Sequence, residues 1–178
     1  MILKRVLIVY KSKTGFTKKY SEWISEALDC QTLPLETANI SEVSEYDIVI
    51  FGGGIYASKI NGIKFITNNL EALKNTHLII FATGATPLSA TEKVSQFKQT
   101  NIPGESNIPF FYLQSGMNYK NMGIIDKLIM NVLKFALKRK KNKDSIEMGA
   151  MEAISDSYDN SNLKAIDPLI NYVQNIKS

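Results

Sequence analysis

Unbroken apolar runs punctuate the chain at near-regular intervals. Val6-Leu7-Ile8-Val9, Ile48-Val49-Ile50-Phe51 and Leu78-Ile79-Ile80-Phe81-Ala82 are rich in β-branched residues and carry no charge, the pattern of strands buried on both faces. They set strands at about Lys4–Tyr10, at Asp47–Phe51 ended by Gly52-Gly53-Gly54, and at His77–Ala82, the first, third and fourth in chain order. Ile108–Gln114 supplies another, with Pro109 near its start, where a missing donor is tolerated. Gln31–Leu35, closed by Pro34, reads as a short edge-side strand. Between these runs the apolar spacing turns helical: Tyr20, Trp23, Ile24, Ala27 and Leu28 share one face, and Ile63, Ile66, Leu70 and Leu73 form a stripe within Lys59–Leu73. A polar helix follows at about Ser89–Gln99. Strands alternating with helices predict an α/β fold, a five-stranded parallel sheet with helices on both faces, in one domain spanning residues 1–178.

The rhythm changes after the last strand. Gly123–Lys141 carries a long helical stripe of Ile125, Leu128, Ile129, Val132, Leu133, Ala136 and Leu137, widened by Ile124 and Phe135. It runs into six basic residues, Lys134, Lys138, Arg139, Lys140, Lys141 and Lys143. A final helix carries Leu163, Ile166, Leu169, Ile170, Val173 and Ile176, and Asp167-Pro168 is either its N-terminus or a break within it.

The candidate chemistry sits where the first strand ends. Ser12-Lys13-Thr14-Gly15-Phe16-Thr17 joins a buried strand directly to a helix N-terminus, offering backbone N–H groups, hydroxyls and the positive end of the helix dipole. That combination suits a phosphate; the competing reading is a helix cap with no ligand. A Walker A loop needs Gly, four residues, then Gly-Lys-Ser/Thr, and the chain has none. A response-regulator receiver needs acidic residues at the ends of the first and third strands, where this chain has Lys11 and Gly52. Gly52-x-Gly54-x-x-Ala57 fits a loose dinucleotide pattern, but follows the wrong strand.

Ser12-x-Thr14-Gly15-x-Thr17, in this position, resembles the phosphate fingerprint of the flavodoxin family, Thr/Ser-x-Thr-Gly-x-Thr. The resemblance implies a doubly wound sheet of order 2-1-3-4-5 and FMN as cofactor. It implies that Ser12, Thr14 and Thr17 donate hydroxyl hydrogen bonds to the phosphate, with Gly15 and the amides of Lys13 to Thr17, Phe16 included, completing the cradle. The loops Gly52–Tyr56, with Gly53, Gly54, Ile55 and Tyr56, and Ala82–Pro87 would flank the flavin ring. Tyr56 would stack on it, and Thr83 and Gly84 would offer backbone donors. Many flavodoxins carry Pro-Thr-Trp/Tyr where this chain has Gly-Gly-Ile-Tyr. Met117-Asn118-Tyr119-Lys120 and Gly123–Met130, with Asp126-Lys127-Leu128-Ile129-Met130, are similar to the region after strand five in the menaquinone-dependent protoporphyrinogen IX dehydrogenase family, flavodoxin-domain oxidoreductases with a helical insertion there. That similarity implies an FMN enzyme passing electrons to a quinone; the alternative is an electron carrier that docks to a redox protein.

Composition adds boundaries. The chain has 178 residues, a single cysteine, a net charge of +4 and a pI near 9.0. One cysteine cannot form an internal bridge, so the expected location is the cytoplasm. Met1-Ile2-Leu3-Lys4-Arg5 gives no leader pattern, and no run of apolar residues is long enough to span a membrane. His77, the only histidine, lies at a strand entrance as a structural or solvated group, and no acid–base constellation or metal-ligand spacing is seen. Flavin chemistry requires neither, because the cofactor carries the electrons. Carrier flavodoxins are generally acidic, and Lys11, Lys13, Lys18 and Lys19 around the loop predict a less negative flavin potential than theirs. The basic helix 123–143 leaves two readings open, packing on the core with a solvated tail or contact with an anionic membrane surface. Nucleic-acid binding is not expected, since no recognition fold or stacking platform accompanies the basic run.

Overall fold

A computed structural model of the chain describes residues 4–104, 106–139 and 157–177. The strands are β1 (Val6–Lys11), β2 (Gln31–Pro34), β3 (Ile48–Tyr56), β4 (Lys59–Ile60), β5 (His77–Gly84) and β6 (Phe110–Gln114). The helices are α1 (Phe16–Leu28), α2 (Ile40–Val43), α3 (Lys64–Thr67), α4 (Thr91–Asn101), α5 (Ile124–Arg139) and α6 (Asp167–Lys177). The main sheet runs β2-β1-β3-β5-β6 and is parallel throughout, while β4 pairs antiparallel with the end of β3. Setting aside the hairpin strand β4, this is the expected doubly wound order.

Alternation along β1 divides the core. Leu7 and Val9 face a layer holding Val43, Ile63, Ile66, Leu73 and Phe97, whereas Val6 and Ile8 face Tyr20, Ile24 and Leu28 of α1 and Leu169, Ile170 and Val173 of α6. Burying each such aliphatic side chain stabilises the fold by about 1.5–3 kcal/mol before entropy is counted. The predicted face of α1 needs two changes: Ala27 is exposed, and the small polar residues Thr17 and Ser21 are buried instead.

Three boundaries differ from the sequence reading. β3 does not stop at the glycines but continues to Tyr56, because Gly52 and Gly53 pair with Tyr10 and Lys11 on one side and Phe81 and Ala82 on the other. A Cβ at Gly52 would lie 2.1 Å from Cζ of Phe81, so the ring closes over the bare backbone. The predicted helix over Lys59–Leu73 is instead the hairpin strand β4 and the short helix α3, after which the chain turns. Its apolar residues still bury, with Ile63, Ile66 and Leu73 at 8% exposure or less. Finally, a 3-10 turn at Leu163–Ile166 leads into α6, so Asp167-Pro168 opens that helix and Leu163 is exposed.

The segment after β6 departs from the sheet and returns to it. Its two limbs meet at Met117 and Tyr158, which exchange backbone hydrogen bonds of 3.0 and 2.9 Å. A Cβ at Gly116 would stand 1.8 Å from the Tyr158 carbonyl oxygen, so the limbs meet this closely only with glycine there. Within α5, Leu128 and Val132 are exposed along with Ile124 and Phe135. Lys140, Lys141 and Lys143, the start of the chain to Leu3, and the side chains of Ile125, Ile129, Leu133, Lys134, Ala136, Leu137 and Lys138 lie outside the described residues.

Candidate functional site

The carboxyl ends of β1 and β3 diverge to β2 and β5, and the loop 12–17 rises at that divergence, where open α/β sheets hold their ligands. Gly15 takes φ 97° and ends the turn, and α1 starts at Phe16 with no side-chain cap on its first amides. The hydroxyls around it therefore do not serve the cap that would explain them without a ligand. The Ser12 hydroxyl is buried and has no hydrogen-bond partner. A buried hydroxyl left unpaired costs about 1–3 kcal/mol, so its placement beside uncapped helix amides is the arrangement an anion would satisfy. Ser12, Thr14 and the amides from Lys13 to Thr17 thus fit a phosphate, with half-buried Phe16 closing the turn.

Thr17 carries a contact that its motif does not predict. It is 2% exposed, and its hydroxyl lies 2.8 Å from that of Thr83, itself 3% exposed. This contact ties the first turn of α1 to the end of β5. Gly54 completes the junction, since a Cβ there would meet Oγ1 of both threonines at 3.5 and 3.8 Å. Gly53, Gly54, Ile55 and Tyr56, expected in a loop, are strand residues of β3, and Thr83 and Gly84 belong to β5, paired with Leu113 and Gln114. The pairing of β3 with β4 carries the strand past its glycines, and β6 does the same for β5.

Tyr56 ends β3 and is 40% exposed, with the Lys13 ammonium 4.5 Å from its ring centroid. A tight turn follows, in which Ala57 and Ser58 both have positive φ, 46° and 65°. Asn101 of α4 holds this turn: its amide donates to the Ser58 carbonyl at 2.8 Å and its carbonyl oxygen accepts from the Ile60 amide at 2.8 Å. The loop after β5 is fixed by Tyr112, whose hydroxyl donates to the Thr86 carbonyl at 2.9 Å and whose burial raises its pKa.

Charge at the site is more balanced than the sequence suggested. Lys11 pairs with Glu36 at 2.5 Å, Lys19 with Asp159 at 2.6 Å and Lys18 with Glu22 at 3.8 Å. The hydrogen bond from Lys11 lowers the pKa of Glu36. Partial burial alone would raise that of Asp159, but Lys19 and Ser161 hold it below the usual carboxylate range.

The sequence reading missed the attachment of the returning segment to this site. Asn118 donates from its side-chain amide to the Thr14 carbonyl at 3.1 Å. The Tyr20 hydroxyl donates to Gln114 at 2.6 Å and accepts from the Asn162 amide at 3.1 Å, and burial raises its pKa. No periodicity signals such contacts; only the position of Asn118 just beyond the last strand hints at one. A polar hollow lined by Lys4, Asp47, Lys74, Thr76 and His77 lies at the opposite, amino end of the strands. Among the described residues no group of side chains could hold a metal ion.

Comparison with known proteins agrees with this geometry. The flavodoxin domain family model matches residues 7–144. A flavodoxin of Maridesulfovibrio salexigens is 38% identical over 56 residues, which is 28% of this chain and 38% of that protein, so the match spans well under half of the curated relative. Among solved structures, a Lactobacillus acidophilus flavoprotein in complex with FMN is similar at 17% identity, 62% of this chain, 92% of that one and a TM-score of 0.45. The two-electron reduced flavodoxin of Megasphaera elsdenii is similar at 18% identity, 60% and 82% coverage and a TM-score of 0.43. At those scores neither bears on function. With the family model covering most of its length and the fingerprint loop standing at the sheet's switch point, the chain belongs to the flavodoxin domain family, whose cofactor is FMN.

Proposed function

We propose that this flavodoxin-domain protein is an FMN-dependent oxidoreductase that takes electrons from a bulky reduced substrate of the protoporphyrinogen kind and passes them to a quinone. In this reading Ser12, Thr14 and the amides of residues 13–17 hold the phosphate. Tyr56 and the ends of β3 and β5 wall the ring. When bound, FMN supplies the electron acceptor and donor, and the protein supplies position, electrostatics and access. The observation that carries the reading is the attachment of the returning segment to the cofactor loop, through Asn118 on Thr14 and Asp159 on Lys19. A carrier needs an open flavin edge; a segment fixed beside the phosphate loop offers material for a substrate enclosure. A cytoplasmic protein that works at the membrane, where quinones reside, is the accompanying location.

The test is anaerobic turnover of the FMN-loaded protein with protoporphyrinogen and a menaquinone analogue. Steady porphyrin formation dependent on the quinone is the expected result. A protein that takes up FMN and is reduced by dithionite, yet turns over neither compound, is a carrier that docks to a redox protein.

A further inference from the structure

On α5, Ile124, Leu128, Val132 and Phe135 are 88%, 63%, 62% and 56% exposed. Their spacing of i, i+4, i+8 and i+11 puts them within an arc of about 80° on one side of the helix, a line roughly 17 Å long. Cations frame that line. Arg139 lies over the Phe135 ring at 4.1 Å and extends the stripe by one turn, while Lys127 stands at its edge, its ammonium 5.6 Å from the Tyr119 ring.

Charge says what can cover it. Eight of the chain's 21 basic residues and one of its 17 acidic residues fall within 120–143, so this segment carries +7 and the remainder −3. That charge lies on the helix that exposes the apolar line and on the residues that flank it in the sequence. A second copy of the chain is disfavoured, because a two-fold contact along this face would bring two such segments together. The surface is a convex ridge with aliphatic and phenyl groups in line and cations at its flank and end. That matches a medium that is apolar within and anionic at its boundary, where lysine and arginine stems lie along the interface and their heads reach phosphates. No described helix is long and apolar enough to cross a membrane, so the contact is in the plane.

We infer that α5 is a membrane-surface helix, docking the protein peripherally on anionic lipid through Ile124, Leu128, Val132 and Phe135. The inference stands whichever electron acceptor is used. It also gives the docking a direction: α5 begins six residues after Asn118, which is bonded to Thr14, so lipid contact holds the bilayer on the side of the cofactor loop.

The test is flotation of the full-length, FMN-loaded protein with phosphatidylcholine vesicles and with the same vesicles containing phosphatidylglycerol. The expected result is partition onto the phosphatidylglycerol vesicles that salt weakens, and that Leu128→Gln with Phe135→Gln reduces about tenfold or more. Lys127→Gln with Arg139→Gln should reduce it by roughly tenfold through charge alone. All four side chains are at or near the surface, so the flavin spectrum of each variant should match that of the parent, which checks its fold. Absence of partition onto anionic vesicles, or partition that the apolar substitutions leave intact, overturns the inference. So does a dimer seen by sedimentation velocity that these substitutions dissolve, which would assign the face to a second copy.

Discussion

Thr17 and Thr83 give the sharpest test of how the site is built. Their hydroxyls are 2.8 Å apart at 2% and 3% exposure, so each is the other's partner in a place water does not reach. Thr17→Val or Thr83→Val alone leaves the surviving hydroxyl buried without its partner, at a cost of about 1–3 kcal/mol, whereas replacing both removes the polar pair with little change of shape. The double variant should therefore be destabilised much less than the two single values added, with a coupling of about 1–3 kcal/mol. Urea unfolding of the FMN-free protein, followed by the fluorescence of Trp23, the single tryptophan, measures all four corners of the cycle. Effects that add to within about 0.5 kcal/mol would refute the pairing. FMN binding separates the two residues further. If Thr17 leaves Thr83 to donate to the phosphate, a charge-assisted bond of about 1.5–3 kcal/mol is lost in Thr17→Val, weakening affinity roughly 10–100-fold. Thr83→Val then binds FMN as tightly as the parent or more so, because Thr17 has no partner to give up. Equal losses in both variants would mean that the pair acts only as a structural tie.

Other expectations follow from single contacts. Tyr20→Phe removes a donor to Gln114 and an acceptor for Asn162 from a fully buried site, and should lower unfolding stability by about 2–3 kcal/mol; a loss below about 0.5 kcal/mol would show that these bonds are not holding the returning segment. Ala57→Asn with Ser58→Gly supplies residues that accept the left-handed turn after Tyr56 and should raise stability by about 1 kcal/mol, read from the urea midpoint. Burial lowers the pKa of His77, helped by the nearby charge of Lys4, so the unfolded chain binds more protons there; stability should fall as pH drops below about 6.5, and His77→Gln should flatten that slope in urea midpoints taken at about pH 7.5 and 5.5. Lys13→Gln removes a cation from the wall formed with Tyr56 and should make the FMN midpoint potential more negative in a potentiometric titration, while a positive shift would contradict the expected electrostatics.

What the sequence made legible divides along physical lines. Strands were readable because Val6–Val9, Ile48–Phe51 and Ile79–Ala82 are buried on both faces, and such runs have few other places to go. The fingerprint loop was readable because it is local, six residues between two strong elements. The hairpin after β3 was hidden, since Gly52-Gly53-Gly54 looks like a terminator until the rings and strands that close on it are known. The motif of Thr17 points to the phosphate and cannot show its contact with Thr83, because it is one-dimensional and Thr83 is 66 residues away. Long-range polar contacts such as Asn118 to Thr14, 104 residues apart, have no periodic signal at all. The exposure of Ile124, Leu128, Val132 and Phe135 was equally invisible: an apolar stripe at helical spacing looks the same whether it faces a sheet or the outside.

The distribution of charge changes how the protein relates to its family. Taken as a total, +4 suggested a body unlike an acidic electron carrier. Taken by position, the contrast moves. Lys11, Lys18 and Lys19 each stand against a carboxylate, and residues 120–143 alone carry +7. The inserted segment also holds Asp126, Asp144, Glu147, Glu152 and Asp156, so the residues outside 118–157 carry 13 basic and 12 acidic side chains, a near-neutral body of +1. What sets the chain apart is concentrated in the segment that leaves the sheet after β6 and rejoins it through the pinch at Met117 and Tyr158. The body keeps the requirements of FMN, and on the inference drawn from α5 the insertion would set what surface the flavin is brought to. On the proposed reading, partner choice follows from α5 and its flanks, and electron transfer from the loop at Ser12 and the ends of β3 and β5 at Tyr56 and Thr83.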